Sequence, residues 1–556
     1  MRRRSVLAVL AAATVALTAC NANSSASSSS GTSSAAAVKG GSLTILTQSA
    51  SVTLDPAKSQ NLAITTLGLF YRRLTTWDIQ PGKPPAVVPD LATDTGTSSD
   101  GGKTWTYHLK DGLKYADGTA ITATDIKYGV ERSFAAELSG GLAYHKSLLV
   151  GGDAYKGPYT GGELASVEVP DPKTIVFHLR TSYGDWPWIA SMPAFAPVPK
   201  AGDSNPQAYA EHTAASGPYQ VASYQKGSVL KLTRNPNWDA ATDPVRTAGP
   251  DDITFRLGQD SAVVAQRLIA DSGDDRDAFG ASFVPPAQLV QIGQNPSAKQ
   301  RLVTSDSGAL AYLAINTRRP ALQDVRVRQA ITYATDKQAY QIASGGTIGG
   351  DLATTLITPG IPGRVGYDLY PAPPAGDVAK AKELLAAAGR PLPALTLLVD
   401  TESNSASQAE AIQQGLKRAG IAVTIKLEDD ATWTADATGP KGDYDLALSS
   451  WQPDFPSANG NIQPLFASSE IGNGGYNLAR YSQPDVDALI AKATGQTDPS
   501  AAQATWAQAD RRILQDAPVV PLIYTKNSFL HGSKVSNFFV ASFPAYPNYL
   551  KVSLQK

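Results

Sequence analysis

Cysteine is almost absent from this sequence, because Cys20 is the only one among 556 residues. A single cysteine excludes intramolecular disulfide bonds, zinc sites built from cysteine pairs and cysteine-ligated clusters. Histidine is also scarce: the 5 histidines lie far apart, and none belongs to an HExxH pattern or another metal-ligating spacing. The sequence therefore contains no recognisable metal site, and we expect the protein to work without a cofactor.

Charge and long apolar runs are also lacking. Only 17% of the residues are charged, and 48 Lys+Arg against 49 Asp+Glu give a net charge of -1. This balance lacks the basic excess that binds a phosphate backbone, which excludes nucleic acid as a partner. Since one apolar run stands out, at the N-terminus, a protein with several membrane spans is excluded too. The hydrophobic fraction of 42% is typical of a globular protein, and the length predicts two or three domains.

The N-terminus predicts an export signal over residues 1–20. Three arginines, residues 2–4, precede an apolar run over residues 6–17. A run of about 12 residues is too short to cross a membrane. Residues 17–20, Leu-Thr-Ala-Cys, resemble the bacterial lipobox, which implies lipidation of Cys20 and cleavage before it. The arginines also resemble part of a twin-arginine signal, so the export route stays open.

A Ser/Ala-rich stretch over residues 21–39 follows the signal and has no apolar periodicity. Such a composition cannot bury enough surface to offset the entropy of the chain, which predicts a flexible tether. Two or more acyl chains on Cys20 would hold the tether firmly at the membrane. A receptor that has to meet a membrane partner needs this arrangement, whereas a secreted enzyme does not.

The periodicity of the remaining chain predicts strands alternating with helices. Residues 40–46 predict a strand, and alternation over residues 103–109 followed by two Asp-Gly pairs predicts a hairpin region. Thr122, with Asp125 three residues later, predicts the capped start of a helix. In the C-terminal half we expect strands at 394–400, 421–427 and 443–449, and helices at 377–388, 407–419, 484–493 and 500–515. Alternation of this kind indicates an α/β domain built around a sheet.

The predicted strand at 443–449 leads into a loop that carries Trp451 and Asp454. In α/β sheets, ligands usually bind at loops that follow the carboxyl ends of strands. Trp451 offers a flat apolar wall, and Asp454 offers a charge for a ligand ammonium group. A packed tryptophan beside a turn-forming aspartate explains the same pattern, so these residues alone leave both interpretations open.

Catalytic motifs are not found. The sequence has no Gly-x-Ser-x-Gly, and residues 101–104, Gly-Gly-Lys-Thr, lack both the first glycine and the following helix of a P-loop. A secreted lipoprotein hydrolase stays open as an alternative of another class, with no assembled nucleophile to support it.

Several segments occur in the order of one known family, and they carry a resemblance over about residues 40–556. These segments are residues 53–57, 105–119, 122–126, 216–219, 234–238, 324–331, 451–454 and 481–489. Together they resemble the large extracytoplasmic solute-binding proteins of peptide ABC importers, the oligopeptide- and dipeptide-binding family. The lipobox and the Ser-rich tether that precede these segments agree with that resemblance.

The resemblance implies an α/β fold of two lobes joined by a hinge, with mixed sheets and an extra inserted subdomain. Carried over, residues 40–82, 207–300 and 517–556 form the first lobe, 83–206 the inserted subdomain and 301–516 the second lobe. The lobes of such proteins close on the ligand, a closure of the hinge type. The closed monomer then docks on permease subunits in the membrane, so the chain itself needs no catalytic residue.

The resemblance also implies a ligand site. Asp454 corresponds to the carboxylate that holds the α-ammonium group of a peptide, a pairing that offsets the cost of burying both charges. Trp451 would form a wall, and Asn477 and Tyr524 would add polar contacts, although ordinary structural roles explain these two equally well. Arg364 is a candidate for a ligand carboxylate. Relatives with a similar segment also bind sugars, metal chelates or other cations, so an oligosaccharide or a chelate stays open as the ligand.

Overall fold

The computed structural model describes residues 38–203, 205–306, 308–389, 391–401, 404–472 and 474–555. The predicted signal over residues 1–20, its lipidated Cys20 and all but the end of the predicted tether lie outside these residues. In the described part of the chain, none of the helices has the length and apolar character needed to cross a bilayer.

The first of two large sheets combines the start of the folded chain with residues 219–280. Its first strand in sequence runs between two parallel neighbours, and an antiparallel pair extends one edge. In spatial order the strands are Ala278–Gly280, Ser42–Leu46, Asp252–Arg256, Val229–Arg234 and Tyr219–Gln225. Leu43 and Ile45 are buried and alternate with the more exposed Ser42 and Thr44, as expected for a strand with one face on the core, and Leu46 at the strand end is buried as well.

The second large sheet is also mixed and belongs to the C-terminal half. Its strands, in spatial order, are Gly350–Leu352, Val519–Thr525, Leu310–Ile315, Leu446–Trp451, Leu395–Asp400 and Val423–Glu428. The central strand Leu310–Ile315 is buried along its whole length, which explains its uninterrupted run of apolar residues. Since Leu446–Trp451 pairs with this strand, the loop that follows Trp451 begins at the middle of the sheet.

One expected boundary of the lobes differs from the structure. The sequence placed residues 517–556 in the first lobe, yet Val519–Thr525 pairs with Leu310–Ile315 inside the second sheet. The chain therefore leaves the second sheet after residue 525 and not at 517. The boundary was misplaced because an apolar run indicates a strand without identifying the strand that pairs with it.

A small three-stranded sheet is formed by residues that lie, in sequence, between the first strand of the first large sheet and its other strands. These residues belong to the predicted subdomain of residues 83–206. The expected hairpin is confirmed only in part. A short antiparallel pair forms around the second Asp-Gly turn, where Lys114 and Ala120 form a bridge. The alternating strand Thr104–His108 pairs instead with the distant strand Thr174–His178, which also pairs with Val167–Asp171. The two Asp-Gly pairs do form turns, with Gly112 at φ 74° and Gly118 at φ 90°. An Asp-Gly turn reverses the direction of the chain, but it does not determine which strands then pair with each other.

Helices cover the sheets, and the predicted caps are confirmed. Thr122 precedes a helix, and its backbone N donates to Asp125 Oδ2 at 2.8 Å. Gly389 ends another helix with φ 71°. The longer helices are Ala123–Arg132, Ser261–Ala270, Pro286–Gln294, Val325–Ala334, Val378–Ala388, Ser405–Arg418, Asp430–Thr438, Asn459–Phe466, Pro484–Gly495 and Pro499–Gln515. The shorter helices are Thr66–Phe70, Tyr144–Leu148, Trp186–Ile189, Pro296–Gln300 and Lys337–Ala343.

Four buried charged residues, Arg72, Asp90, Asp243 and Arg246, form what we call the arginine–aspartate cluster. Arg72 Nε lies 2.7 Å from Asp90 Oδ1, and Arg246 Nη2 lies 3.0 Å from Asp90 Oδ2. Arg246 Nη1 is 3.1 Å from Asp243 Oδ2. Burial raises the pKa of Asp243, but Arg246 and Arg72 outweigh it and lower the pKa to about 2. Asp243 therefore stays ionised, both carboxylates are paired with arginine, and the cluster joins three separate segments of the chain.

Candidate functional site

The loop between Trp451 and the helix Asn459–Phe466 carries the residue that the sequence singled out, Asp454. The strand Leu446–Trp451 runs parallel to Leu395–Asp400 and ends at this loop, as the sequence pattern predicts. Pro453 and Phe455 are buried on either side of Asp454 and fix the loop. The fold thereby holds Asp454 at the carboxyl end of a central strand, where a ligand is expected.

Asp454 is half-buried, and one of the described residues forms a hydrogen bond with its side chain. Tyr144 lies in the helix Tyr144–Leu148, within residues 83–206, which were predicted to form an inserted subdomain and are called the inserted segment below. Its Oη donates to Asp454 Oδ2 at 2.5 Å. Burial raises the pKa of Asp454, and the hydrogen bond from Tyr144 offsets part of that rise. Within the described ranges no lysine or arginine forms an ion pair with this carboxylate. Asp454 is therefore a partly enclosed carboxylate that a ligand cation could pair with.

A hydrogen bond from the indole N–H holds the Trp451 side chain in place. Its Nε1 donates to the carbonyl oxygen of Gly460 at 2.7 Å, so the indole is fixed against the following helix. The ring packs on Tyr476 with centroids 5.0 Å apart. The two rings form an aromatic wall beside Asp454, and the ligand-binding role of Trp451 stays a prediction.

Two cavities meet at Asp454. The larger, of about 960 Å³, lies between the loop with its helix and the inserted segment, and its lining includes Trp451, Glu470 and Tyr476. The smaller, of about 480 Å³, faces the first sheet and is lined mostly by hydroxyl, amide and aromatic groups. Asp454 lines both. A ligand anchored by this carboxylate thus has space on two sides, and the apolar and polar surfaces fit a solute with both kinds of group.

The structure does not bring Asn477 to Asp454. Asn477 is 2% exposed, and its Nδ2 donates to the carbonyl oxygens of Ala467 at 3.0 Å and Tyr481 at 2.8 Å. Its Oδ1 accepts from the backbone N of Tyr481 at 3.0 Å. All of its polar groups therefore serve the local backbone, and it lines neither cavity.

Tyr524 also has a structural position. It is 4% exposed, and its hydroxyl accepts from the backbone N of Thr355 at 2.9 Å and donates to the carbonyl oxygen of Thr355 at 3.1 Å. The guanidinium of Arg364 lies 5.4 Å from the centre of the Tyr524 ring. Neither residue lines a cavity that contains Asp454, so the ligand-binding roles expected for them are not supported by this geometry.

The inserted segment meets the Asp454 loop at further points, which sequence reasoning missed. Asp185 Oδ2 accepts from Ser457 Oγ at 2.9 Å, and Tyr183 Oη accepts from Asn459 Nδ2 at 3.0 Å. Like Tyr144, these residues precede their partners by more than 270 positions. No local pattern in one sequence indicates such pairs, since they arise from packing between distant elements.

A metal centre is not indicated. Across the part of the chain that the structure describes, no group of three or more His, Cys, Asp or Glu side chains could hold a metal ion. The aromatic wall and the partly enclosed carboxylate are groups that bind an organic cation.

The family and the proteins that this chain resembles are all solute-binding proteins. Residues 86–473 match the family described as "Bacterial extracellular solute-binding proteins, family 5 Middle". The chain is 28% identical over 511 residues to the probable D,D-dipeptide-binding periplasmic protein DdpA of Escherichia coli (strain K12), a match covering 90% of this chain and 92% of that protein. It is 26% identical over 498 residues to the glutathione-binding protein GsiB of Salmonella typhimurium, covering 88% and 90%.

A solved structure is similar as well. The fold superposes on that of the clavulanic acid biosynthesis oligopeptide binding protein 2 with a TM-score of 0.85 and 34% sequence identity. The match covers 93% of this chain and 96% of the other. The likeness therefore extends over both large sheets and the inserted segment.

Proposed function

This chain belongs to the bacterial extracellular solute-binding proteins of family 5, and we propose that it captures short peptides outside the cell and delivers them to an ABC importer. The family is one of binding proteins, and its fold is two-lobed. Three relatives are named for binding a dipeptide, glutathione or oligopeptides, which supports a peptide as the solute here. The permease supplies transport, so this chain has only to bind, enclose and release its ligand.

The observation that carries the proposal is the environment of Asp454. A half-buried carboxylate without an ion-pair partner among the described residues is costly unless a ligand supplies the cation. A peptide α-ammonium group is such a cation, and it would share the carboxylate with Tyr144. Trp451 and Tyr476 would then pack against the first residue of the peptide.

We expect Asp454→Ala to weaken the binding of peptides with a free amino terminus far more than the binding of N-acetylated peptides. Loss of a largely desolvated charge pair costs at least about 2 kcal/mol, or about a 30-fold rise in Kd. Titration calorimetry of wild type and variant with trialanine and N-acetyl-trialanine measures both effects. Asp153→Ala is a matched control, because Asp153 lines the larger cavity but already pairs with Arg180. An equal loss for both peptides would reject the ammonium-binding role.

The lobes and their closure form part of the proposal. Residues 40–82 and 207–300 would make up most of the first lobe, 83–206 the inserted subdomain, and 301 to about 525 the second lobe. Contacts such as Tyr144–Asp454 and Asp185–Ser457 join the inserted subdomain to the second lobe beside the ligand loop. A ligand bound at Asp454 would be enclosed by these elements as the hinge closes.

The membrane anchor is also a proposal, supported by the lipobox at residues 17–20. We expect wild-type protein to incorporate a labelled fatty acid in the producing bacterium, and Cys20→Ser to incorporate none and leave the membrane fraction. Ser24→Ala, in the tether, is the matched control and should behave as wild type. Equal labelling of wild type and Cys20→Ser would show that Cys20 is not the lipidated residue.

A further inference from the structure

A second carboxylate, that of Glu470, lines the larger cavity together with Asp454. Glu470 is half-buried, and among the described residues none donates a hydrogen bond to its carboxylate or pairs with its charge. Burial raises the pKa of Glu470. The proposed function gives Glu470 no role, because Asp454 alone receives the peptide ammonium group. A partly enclosed carboxylate that faces a cavity without a counter-ion is available to a second cation of the ligand.

A short antiparallel hairpin holds Glu470 in place. Ile471 pairs with Tyr476, so Glu470 and Tyr476 are carried by the same hydrogen-bonded unit. The backbone N of Asn477 donates to the carbonyl oxygen of Glu470 at 3.1 Å. The side chain of Asn477 holds the preceding turn through its bond to the carbonyl oxygen of Ala467. Asn477 therefore helps to fix the backbone that carries Glu470, although it does not line the cavity itself.

The aromatic wall connects the two carboxylates. The Tyr476 ring lies 5.0 Å from the Trp451 ring, and Trp451 precedes Asp454 by three residues. Tyr476 is 36% exposed, so part of its ring is accessible to a ligand. Burial raises the pKa of Tyr144, and the charges of Asp454 and Glu470 raise it further, so both carboxylates lie near this one hydroxyl. Asp454 and Glu470 thus face the same region of the cavity, beside a shared apolar surface.

The lysines of the cavity do not neutralise Glu470. Lys146 and Lys156 contribute to the lining, but within the described ranges neither forms an ion pair with Glu470 or Asp454. Burial lowers the pKa of Lys146, and no described carboxylate counteracts that effect. The negative charge of Glu470 is therefore available to a ligand.

We propose that Glu470 binds the cation of a basic side chain on the first residue of the ligand, so that peptides beginning with lysine or arginine are preferred. The inference rests on the proposed function, because it takes the peptide ammonium group to lie at Asp454 and the first residue to pack on Trp451 and Tyr476. The apolar stem of a lysine or arginine side chain would cover these rings, while its charged end reaches Glu470. An apolar first side chain would leave Glu470 partly enclosed without a cation, and the peptide would bind more weakly.

The test compares Lys-Ala-Ala with norleucine-Ala-Ala, whose first side chain lacks only the ammonium group. We expect wild-type protein to bind the lysine peptide about tenfold more tightly, because a hydrogen bond between charged groups is formed. Glu470→Gln, which keeps the size of the side chain, should abolish this preference and leave the affinity for the norleucine peptide unchanged. Titration calorimetry of both proteins with both peptides gives the result.

Asp153→Asn is the matched control. Asp153 lines the same cavity, but its carboxylate is already paired with Arg180, so this variant should keep the preference for the lysine peptide. If Asp153→Asn lost the preference as Glu470→Gln does, the overall charge of the cavity would decide it, and the direct contact with Glu470 would be overturned.

The α-ammonium group of the peptide is a second source of the same cation, and trialanine separates the two. Trialanine has an α-ammonium group but no basic side chain, so Glu470→Gln should bind it as wild type does. An equal loss of affinity for trialanine and Lys-Ala-Ala in Glu470→Gln would show that Glu470 shares the α-ammonium group with Asp454, or that the fold is damaged. Either result would overturn the role of Glu470 in binding a side chain.

The position of the basic residue is tested with Ala-Lys-Ala and Ala-norleucine-Ala. We expect wild type to bind these two peptides with similar affinity, because the second side chain does not follow the aromatic wall. A preference for Ala-Lys-Ala that Glu470→Gln abolishes would overturn the assignment to the first residue.

Two further outcomes distinguish the inference from the function on which it rests. Equal affinity of wild type for Lys-Ala-Ala and norleucine-Ala-Ala overturns the inference while leaving peptide capture intact. Absence of binding of any of these peptides to wild type contradicts the proposed function itself.

Discussion

The arginine–aspartate cluster and the walls of the larger cavity both remove charges from water, but they do so in different ways. In the cluster Arg72 and Arg246 hold both carboxylates at 2.7–3.1 Å. In the cavity Asp454 accepts one neutral hydrogen bond, and Glu470 and Lys146 have no ion-pair partner among the described residues. Paired buried charges hold a fold together, whereas unpaired ones that face a cavity are available to a ligand.

The largest effect on stability is expected from breaking the cluster. Arg246→Met leaves Asp90 and Asp243 short of a cation in a fully buried site. Removing one partner of a buried ion pair costs about 3–5 kcal/mol of the free energy of unfolding. Urea denaturation of wild type and variant measures the difference.

Arg73 is the control for that prediction. It is fully buried beside the cluster, yet none of its side-chain nitrogens has a hydrogen-bond partner in the part of the chain that the structure describes. Burial, followed by repulsion from Arg246, lowers the pKa of Arg73 to about 9. Arg73→Met should therefore match or exceed wild type in stability. Equal destabilisation by Arg73→Met and Arg246→Met would show that burial, and not pairing, decides the role of these arginines.

A smaller effect on stability, which depends on pH, is expected from the ionisation of Asp185. Burial raises the pKa of Asp185 to about 6, although hydrogen bonds from Ser457 and Asn459 lower it in part. Between about pH 4 and pH 6 the Asp185 carboxyl is therefore protonated in the folded protein but ionised in the unfolded chain, where its pKa is near 4. The free energy of unfolding should fall as the pH rises from about 4 to about 6 and level off above.

The comparison at Asp185 is made with Asp185→Asn, which cannot ionise. As the pH rises from about 4 to about 6, the free energy of unfolding of wild type should fall relative to that of this variant. Denaturation curves between pH 4 and 7 measure it. Parallel curves for the two proteins would contradict a raised pKa at this contact.

The smallest effect on stability is expected at Asp454, the proposed ligand-binding carboxylate. Asp454→Asn removes an unpaired carboxylate but keeps an oxygen that can accept from Tyr144. Because burial raises the pKa of Asp454, its ionised form adds nothing to folding at neutral pH. We expect a change below about 1 kcal/mol in the free energy of unfolding, measured by urea denaturation at pH 7. A loss as large as that of Arg246→Met would place Asp454 among the structural charges.

Much of the fold follows from local patterns in the sequence. The capping pair Thr122 and Asp125, the helix Val378–Ala388 and the two-lobed α/β architecture are confirmed. These features depend on neighbouring residues or on segments shared with a family. The position of Trp451 and Asp454 at a strand end follows from the same kind of pattern.

The features that were missed depend on contacts between distant residues. Tyr144 lies 310 positions before Asp454, and Thr104–His108 pairs with a strand about 70 residues later. The side chains of Asn477 and Tyr524 can form hydrogen bonds with a ligand or with the protein backbone. Their surroundings in the fold determine which of the two they bind. A single sequence does not indicate that environment, because it is set by packing.

Mass spectrometry of the solute released from protein purified from its native source tests the central claim most directly. If this chain is a peptide receptor with its ammonium site at Asp454, the released solutes are short peptides with free amino termini. They should be absent from Asp454→Ala purified in parallel. Recovery of an oligosaccharide or a metal chelate, or of peptides in equal amount from both proteins, would contradict it.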